Sequence, residues 1–308
     1  MPARHARPKI FRASNIASSL CLLLSSLSFA QAGGGVSPSP DWKAVESAMG
    51  RPGQPQPGEV MKFSMPRKDL HVTLAGVAIK PGLALGSWAA FKQMASGAMV
   101  MGDLVLTEDE VQPVMSKLQE GGIQEAAIHN HLIGESPRVM YMHVRAHGDP
   151  VAIAKTIKTA LSKTKTPLGP PAAPQATPVD LDTTAIATAL GFKGKMNGPV
   201  YQVGVSRAEP ITESGHPVPS SMGVATAINF QPLGGGKAAI TGDFVLIASE
   251  VDPVAKALRT NGIDVTAVHS HMLDEEPRLY FMHFWGNADA VTLAKGLRGA
   301  LDKTNVKR

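Results

Sequence analysis

The sequence predicts an α+β fold built from two tandem copies of one unit, each an antiparallel sheet with flanking helices. Three observations carry this expectation. Shifted by 140 positions, "MGDLVLTEDEVQPVMSKLQEGGI" falls on "TGDFVLIASEVDPVAKALRTNGI", and "DPVAIAKTIKTALSKT" falls on "DAVTLAKGLRGALDKT". The copies are separated by "TKTPLGPPAAPQATPV", a Pro/Ala-rich stretch unable to pack a core of its own. Each copy also reads as strand, helix, strand, strand, helix, a β-α-β-β-α core with helices on one side of the sheet. The first repeat covers residues 41–163 and the second 181–304, joined by a linker at 164–180.

The chain begins with a segment to be set aside before any reasoning about fold. Arg4, Arg7, Lys9 and Arg12 precede the apolar stretch "IASSLCLLLSSLSFA", and Ala30-Gln31-Ala32 has the small-x-small form of a cleavage site. Residues 1–32 therefore read as a secretory signal peptide with cleavage near Ala32, and 33–40 as a short linker. Export to the periplasm or medium follows as an expectation. The formal net charge of +5 includes those four cations, so the mature chain is near neutral. Its charge gives no ground for a nucleic-acid partner. The only cysteine, Cys21, also lies in the signal, leaving a mature chain without thiol, disulfide or lipid anchor. No later segment offers the roughly 20 apolar residues of a membrane span.

Within each repeat the elements follow in order. Asp41 and Asp182 stand as helix N-caps, with Gly50 and Gly191 as the C-terminal stops. Short strands follow, including "VMKFSM", "AGVAI" and "MVMGDLVL". In the second repeat Asp252-Pro253 marks a helix start, cap then proline. In the first, Gln112-Pro113 competes with a capping box at Thr107 and Glu110. Beyond Gly122 and Gly262 comes a strand ending in a His-x-His pair, then a hairpin, a second strand, and a closing helix capped by Asp149 or Asp289.

The chemistry concentrates in that hairpin. "AIHNHLIGESPRVMYMH" and "AVHSHMLDEEPRLYFMH" each carry three histidines and a glutamate at the same spacing. Residues two apart on a strand share a face, so His129 pairs with His131 and His269 with His271. A turn centred near Ser136 would set His129 opposite His143 and His131 opposite Tyr141, with His283 matching in the second copy. Three imidazoles on one patch suit a divalent first-row cation, zinc above others, so each repeat is expected to hold one site. Glu135 and Glu275 are candidates for a fourth ligand or for a catalytic base acting on metal-bound water. Asp103 and Asp243, each after a glycine in a neighbouring strand, are placed to orient a ligating histidine. Arg138 and Arg278 suit an anionic group or, more simply, surface ion pairs. Met142 and Met282 face the other way and read as core.

Two other function classes stay open beside metal binding. One is a non-catalytic binding or structural module whose histidines are hydrogen-bonded within the sheet. The other is a metal-dependent hydrolase. The substrate and any protein partner are not legible in the residues. His-x-His-x-x-x-Glu also resembles the first cupin motif, and His-x-His occurs in lysostaphin-type endopeptidases, but both likenesses are too local to set the fold. A wider resemblance rests on "GSWAAF", "VMGDLVL", "EVQPVM", "HNHLIGESPRVMYMH" and "GDPVAIAKTIKTAL". These resemble the LppY/LpqO conserved-domain family, which implies an exported bacterial protein of two such units and assigns no activity, substrate or site residue.

Overall fold

The outermost turns of each repeat are set by the predicted caps. In the computed structural model, which describes residues 41–170 and 179–307, Asp41 accepts the Ala44 N–H at 3.1 Å and Asp182 accepts that of Ala185 at 2.8 Å. Gly50 and Gly191 close the same helices, Trp42–Met49 and Thr183–Leu190, at φ of 74° and 79°, where a side chain would be strained. Asp149 and Asp289 cap the closing helices Pro150–Leu161 and Ala290–Leu301. The expected signal peptide, the linker after it and much of the Pro/Ala-rich linker lie outside the described residues.

Each repeat forms a six-stranded antiparallel sheet. The first runs in the order Gln54–Gln56, Val60–Pro66, Gly86–Gln93, Ala98–Thr107, Val139–Gly148, Gln124–His129. The second repeats it with Lys195–Asn197, Val200–Ser206, Ala225–Gly234, Lys237–Leu246, Tyr280–Asp289 and Asp264–His269. The β-α-β-β-α core is present in both, preceded by further strands. One helix starts elsewhere than its sequence signal suggests. Ala248–Thr260 begins before Asp252-Pro253, because Glu250, anchored by Arg207, takes the Ile247 N–H at 3.0 Å and fixes the start. In the first repeat the box at Thr107 and Glu110 likewise prevails over Gln112-Pro113.

The central strand Ala98–Thr107 is buried along nearly its whole length, so both faces of the sheet are covered. On one face Phe63, Phe91, Leu104 and Met142 pack against Val45, Leu118 and Ile157 of the helices. Phe230, Phe244, Met282 and Leu297 make the matching core of the second repeat. The other faces meet residues of the opposite repeat, with Val105 and Tyr141 sharing a cluster with Ala239 and Trp285, and Met101 sharing one with Val245 and Phe281.

Two arms lock this junction reciprocally. From the first repeat, Lys80 N–H donates to Gln231 Oε1 at 2.8 Å, while Gln231 Nε2 donates to the Ala78 carbonyl at 2.9 Å. Gln202 and Asn229 reach the Gly82 and Leu83 carbonyls of the same arm. From the second repeat, Ser221 Oγ donates to the Pro57 carbonyl at 3.0 Å, and Glu213 and Asp274 pair with Arg145 of the first. The buried Gln231 amide, satisfied at both ends, gives the contact a specific register rather than mere adhesion. Among the described residues no helix is long and apolar enough to cross a membrane.

Candidate metal centre

The histidine strands lie where the two repeats meet, and this changes the expected arrangement. A bulge between Glu125 and Ala127 sets Ala127 opposite His143 and His129 opposite Tyr141, two residues from the predicted register. The second copy does the same, with Ala267 opposite His283 and His269 opposite Phe281. A slip of two preserves the face, so the three histidines of each hairpin still converge. The separate sites expected in each repeat are instead one cluster of six. Ring centroids lie 3.5 Å apart for His129 and His269, 3.8 Å for His131 and His283, and 3.6 Å for His143 and His271. The pairing is that of a twofold axis passing between His129 and His269.

Local structure places each ring. His131 lies flat on Tyr141 at 3.3 Å and His271 on Phe281 at 3.6 Å, so a planar side chain on the neighbouring strand backs each. Tyr141 is held in turn by its hydroxyl, which donates to the Ala84 carbonyl at 2.8 Å. Thr266 Oγ1 donates to the His131 carbonyl at 2.6 Å, tying the two hairpins together. Gly242 has a local reason as well: a Cβ there would sit 1.9 Å from the Ala227 carbonyl oxygen. Only glycine lets the strands approach so closely, and the Gly242 carbonyl faces His283 Nδ1 at 2.9 Å.

That last contact assigns a tautomer. A carbonyl can only accept, so Nδ1 of His283 carries the proton and its Nε2 presents a lone pair. His129 and His269 have the same Nδ1 relation, at 3.4 Å, to the Asn130 and Ser270 carbonyls. All six Nε2 atoms are sealed from solvent and have no hydrogen-bond partner among the described residues. Leaving a buried polar atom unpaired costs about 1–3 kcal/mol each. Two groups of ligand atoms lie within 4.8 Å of one another: His129, His131 and His143, and His129 with His269, His271 and His283. His129 belongs to both.

Burial keeps the cluster neutral. It pulls His129 down to about 3, helped by His269, and His269 down to about 4. His131, His143, His271 and His283 are held well below the usual imidazole value by burial and by one another. Burial also raises Asp103 to about 8 against the pull of Lys62, and raises Asp243 well above the carboxylate range, with Asp103 adding to it. Asp103 and Asp243 lie directly across the strand from His143 and His283, at 3.9 Å between side chains. Neutral partners at that distance do not make an ion pair; the carboxyls are positioned beside the rings without bonding them.

The glutamates are placed differently from the histidines. Glu275 is buried and accepts the Leu279 N–H at 3.0 Å, with Arg278 at 3.3 Å. Glu135 accepts the Val139 N–H at 3.5 Å. Both thus brace their own loops, and neither belongs to the close groups of ligand atoms. Arg138 makes an exposed ion pair with Glu108 at 3.6 Å. Sequence reasoning set Tyr141 opposite His131 but gave it no stacking role and did not single out Phe281, although the period of two places both on the histidine face.

Residues 43–163 and 184–303 each match the family described as Domain of Unknown Function (DUF1259). The chain belongs to that family. The family carries no assigned activity, and its two matched copies coincide with the two sheets. No curated protein matches the sequence. Solved structures match at low identity, two of them over most of both chains. One is the trimeric bacterial microcompartment shell protein PduB (13% identity over 81% of this chain and 90% of that one, TM-score 0.20). The other is EtuB from Clostridium kluyveri (10% identity over 81% and 90%, TM-score 0.20). At that TM-score neither likeness bears on the DUF1259 protein's architecture or role.

Proposed function

We propose that this DUF1259 protein is a metal-binding protein whose two repeats build one shared centre from His129, His131, His143, His269, His271 and His283. The observation that carries the reading is the set of six buried Nε2 atoms without a hydrogen-bond partner, on histidines that fall into two close groups sharing His129. A purely structural cluster would pair those nitrogens, whereas unpaired buried ring nitrogens this close together, with the lone pair assigned to Nε2 in His129, His269 and His283, suit a cation. Two ligand atoms at about 2.0–2.1 Å from one cation are at most about 4.2 Å apart. Groups within 4.8 Å therefore need only a small ring movement to close on a cation. Because His129 belongs to both groups and offers one Nε2 lone pair, it can complete only one of them at a time, so the centre is expected to hold one shared cation, zinc being the expectation from an all-imidazole donor set.

The reading favours binding over hydrolysis, because Glu135 and Glu275 are occupied with backbone N–H groups of their own loops. It further takes the protein to be exported after cleavage near Ala32, in keeping with the likeness to the LppY/LpqO family. Cobalt titration tests it. Cobalt(II) should give the intense visible bands of a low-coordinate nitrogen site in wild type, and zinc should displace them. A His129→Ala/His269→Ala variant should give neither. Wild type that behaves like this double variant overturns the proposal.

A further inference from the structure

The two flanks of the histidine cluster differ in what surrounds them. Beside His143 and His271 lies a partly open cavity of about 20 Å³, whose lining includes Trp88, Met101, Met222 and Met272 and also Arg145, its charge paired with Glu213 and Asp274. All three methionines are buried, at 2–6% exposure. On the His131 and His283 flank the twofold-related positions hold no sulfur. Shifted by 140, Met101 becomes Thr241, Arg145 becomes Trp285, and Met272 corresponds to Leu132. Leu132, Trp285 and Leu83, the last matching Met222 in the opposite arm, pack in a buried apolar cluster, as Met101, Met222 and Met272 do on their own flank. The imidazoles are duplicated faithfully while the thioethers occur on one flank alone.

Size and softness then restrict what can pass. A cavity of this volume holds little more than one water molecule, so a cation must shed its hydration shell to cross it. Strongly hydrated divalent ions gain little from thioethers, whereas a soft monovalent ion exchanges water for sulfur readily. We infer that the Met101, Met222 and Met272 cavity is an inlet whose sulfur atoms speed monovalent copper to His143 and His271 without acting on divalent ions. The inference rests on the histidine cluster being a metal centre and adds the route and the class of cation.

The test follows copper(I) leaving its bicinchoninate complex for the full mature chain, with zinc uptake measured in parallel. Replacing Met101, Met222 and Met272 together by leucine keeps volume and apolarity and removes sulfur alone. Copper(I) uptake should slow about 10-fold while zinc uptake stays at the wild-type level. Unchanged copper uptake in the triple variant overturns the inlet and leaves the metal centre standing. A wild type that takes up neither metal overturns the centre itself. Should the triple variant lose its cooperative melt, the three single leucine variants carry the test. Each is expected to slow copper uptake about 3-fold, and wild-type rates in all three overturn the inlet.

Discussion

The two repeats agree closely in their clamps and differ at the approaches to their shared centre. Arg67 in the first repeat reaches Glu110 at 2.7 Å and the Val105 carbonyl at 2.7 Å, with Asp69 alongside. Arg207 in the second reaches Glu250 at 2.6 Å and the Val245 carbonyl at 2.7 Å, with Glu209 in place of the aspartate. Each guanidinium ties a strand end to the start of a helix and is almost wholly buried. The histidines are equally faithful. The surroundings are not, since Met101, Met222 and Met272 on one flank stand against Thr241, Leu83 and Leu132 on the other. What both copies need for folding and for the imidazole cluster is held in common, and the difference lies in the side chains that line the two flanks.

The comparison breaks most readily at the clamps. Replacing Arg67 or Arg207 with methionine leaves a buried carboxylate without its partner, which costs about 3–5 kcal/mol. Equal losses in chemical denaturation are expected from the two variants. A loss confined to one would mean that the repeats are not held alike.

A second measurement uses pH on metal-free protein. Free imidazole titrates near 6.5 in the unfolded chain, while His129 and His269 are held at about 3 and about 4 in the folded one. The unfolded state therefore binds more protons as pH falls below about 6.5, and the histidine contribution to stability, full above that value, is lost progressively toward pH 3. Asp103 has the opposite sign. Its folded value of about 8 means its contribution is present below the ordinary carboxylate value and is lost as pH rises through 8. Six histidines outweigh two aspartates, so a thermal-melt series should peak near pH 6–7 and fall on both sides. Continued stabilisation on acidification to pH 4 would contradict the neutral cluster.

The smallest effect separates the hairpin loops. Glu275→Gln should cost about 1 kcal/mol, because the carboxylate holds both the Leu279 N–H and Arg278. Glu135→Gln should cost a few tenths, its bond to Val139 being long at 3.5 Å. Metal content should be unchanged in both. A loss of metal in either would return that glutamate to the coordination sphere.

Much of this was legible in the residues. The duplication, the aspartate caps at 41, 149, 182 and 289, and the shared face of the three histidines all follow from local rules of period and capping. The register did not follow, because the bulges at Glu125/Ala127 and Val265/Ala267 are set by how the strand meets its neighbour. Nor did the meeting of the two clusters. A local pattern says that a face is apolar but not which surface covers it, and two similar repeats offer each other similar faces. The available sign was the apolar run around "MVMGDLVL", interrupted only by Gly102 and Asp103, which needs cover on both sides and not on the helix side alone.

The shared centre is tested most directly by the metal content of His129→Ala beside wild type, read by elemental analysis after zinc loading. His129 lies in both groups of ligand atoms. The account predicts bound metal in wild type and a loss of well over half of it in the variant. A variant that retains half or more of the wild-type metal, as independent sites in the two repeats would allow, or a wild type that holds none, would contradict it.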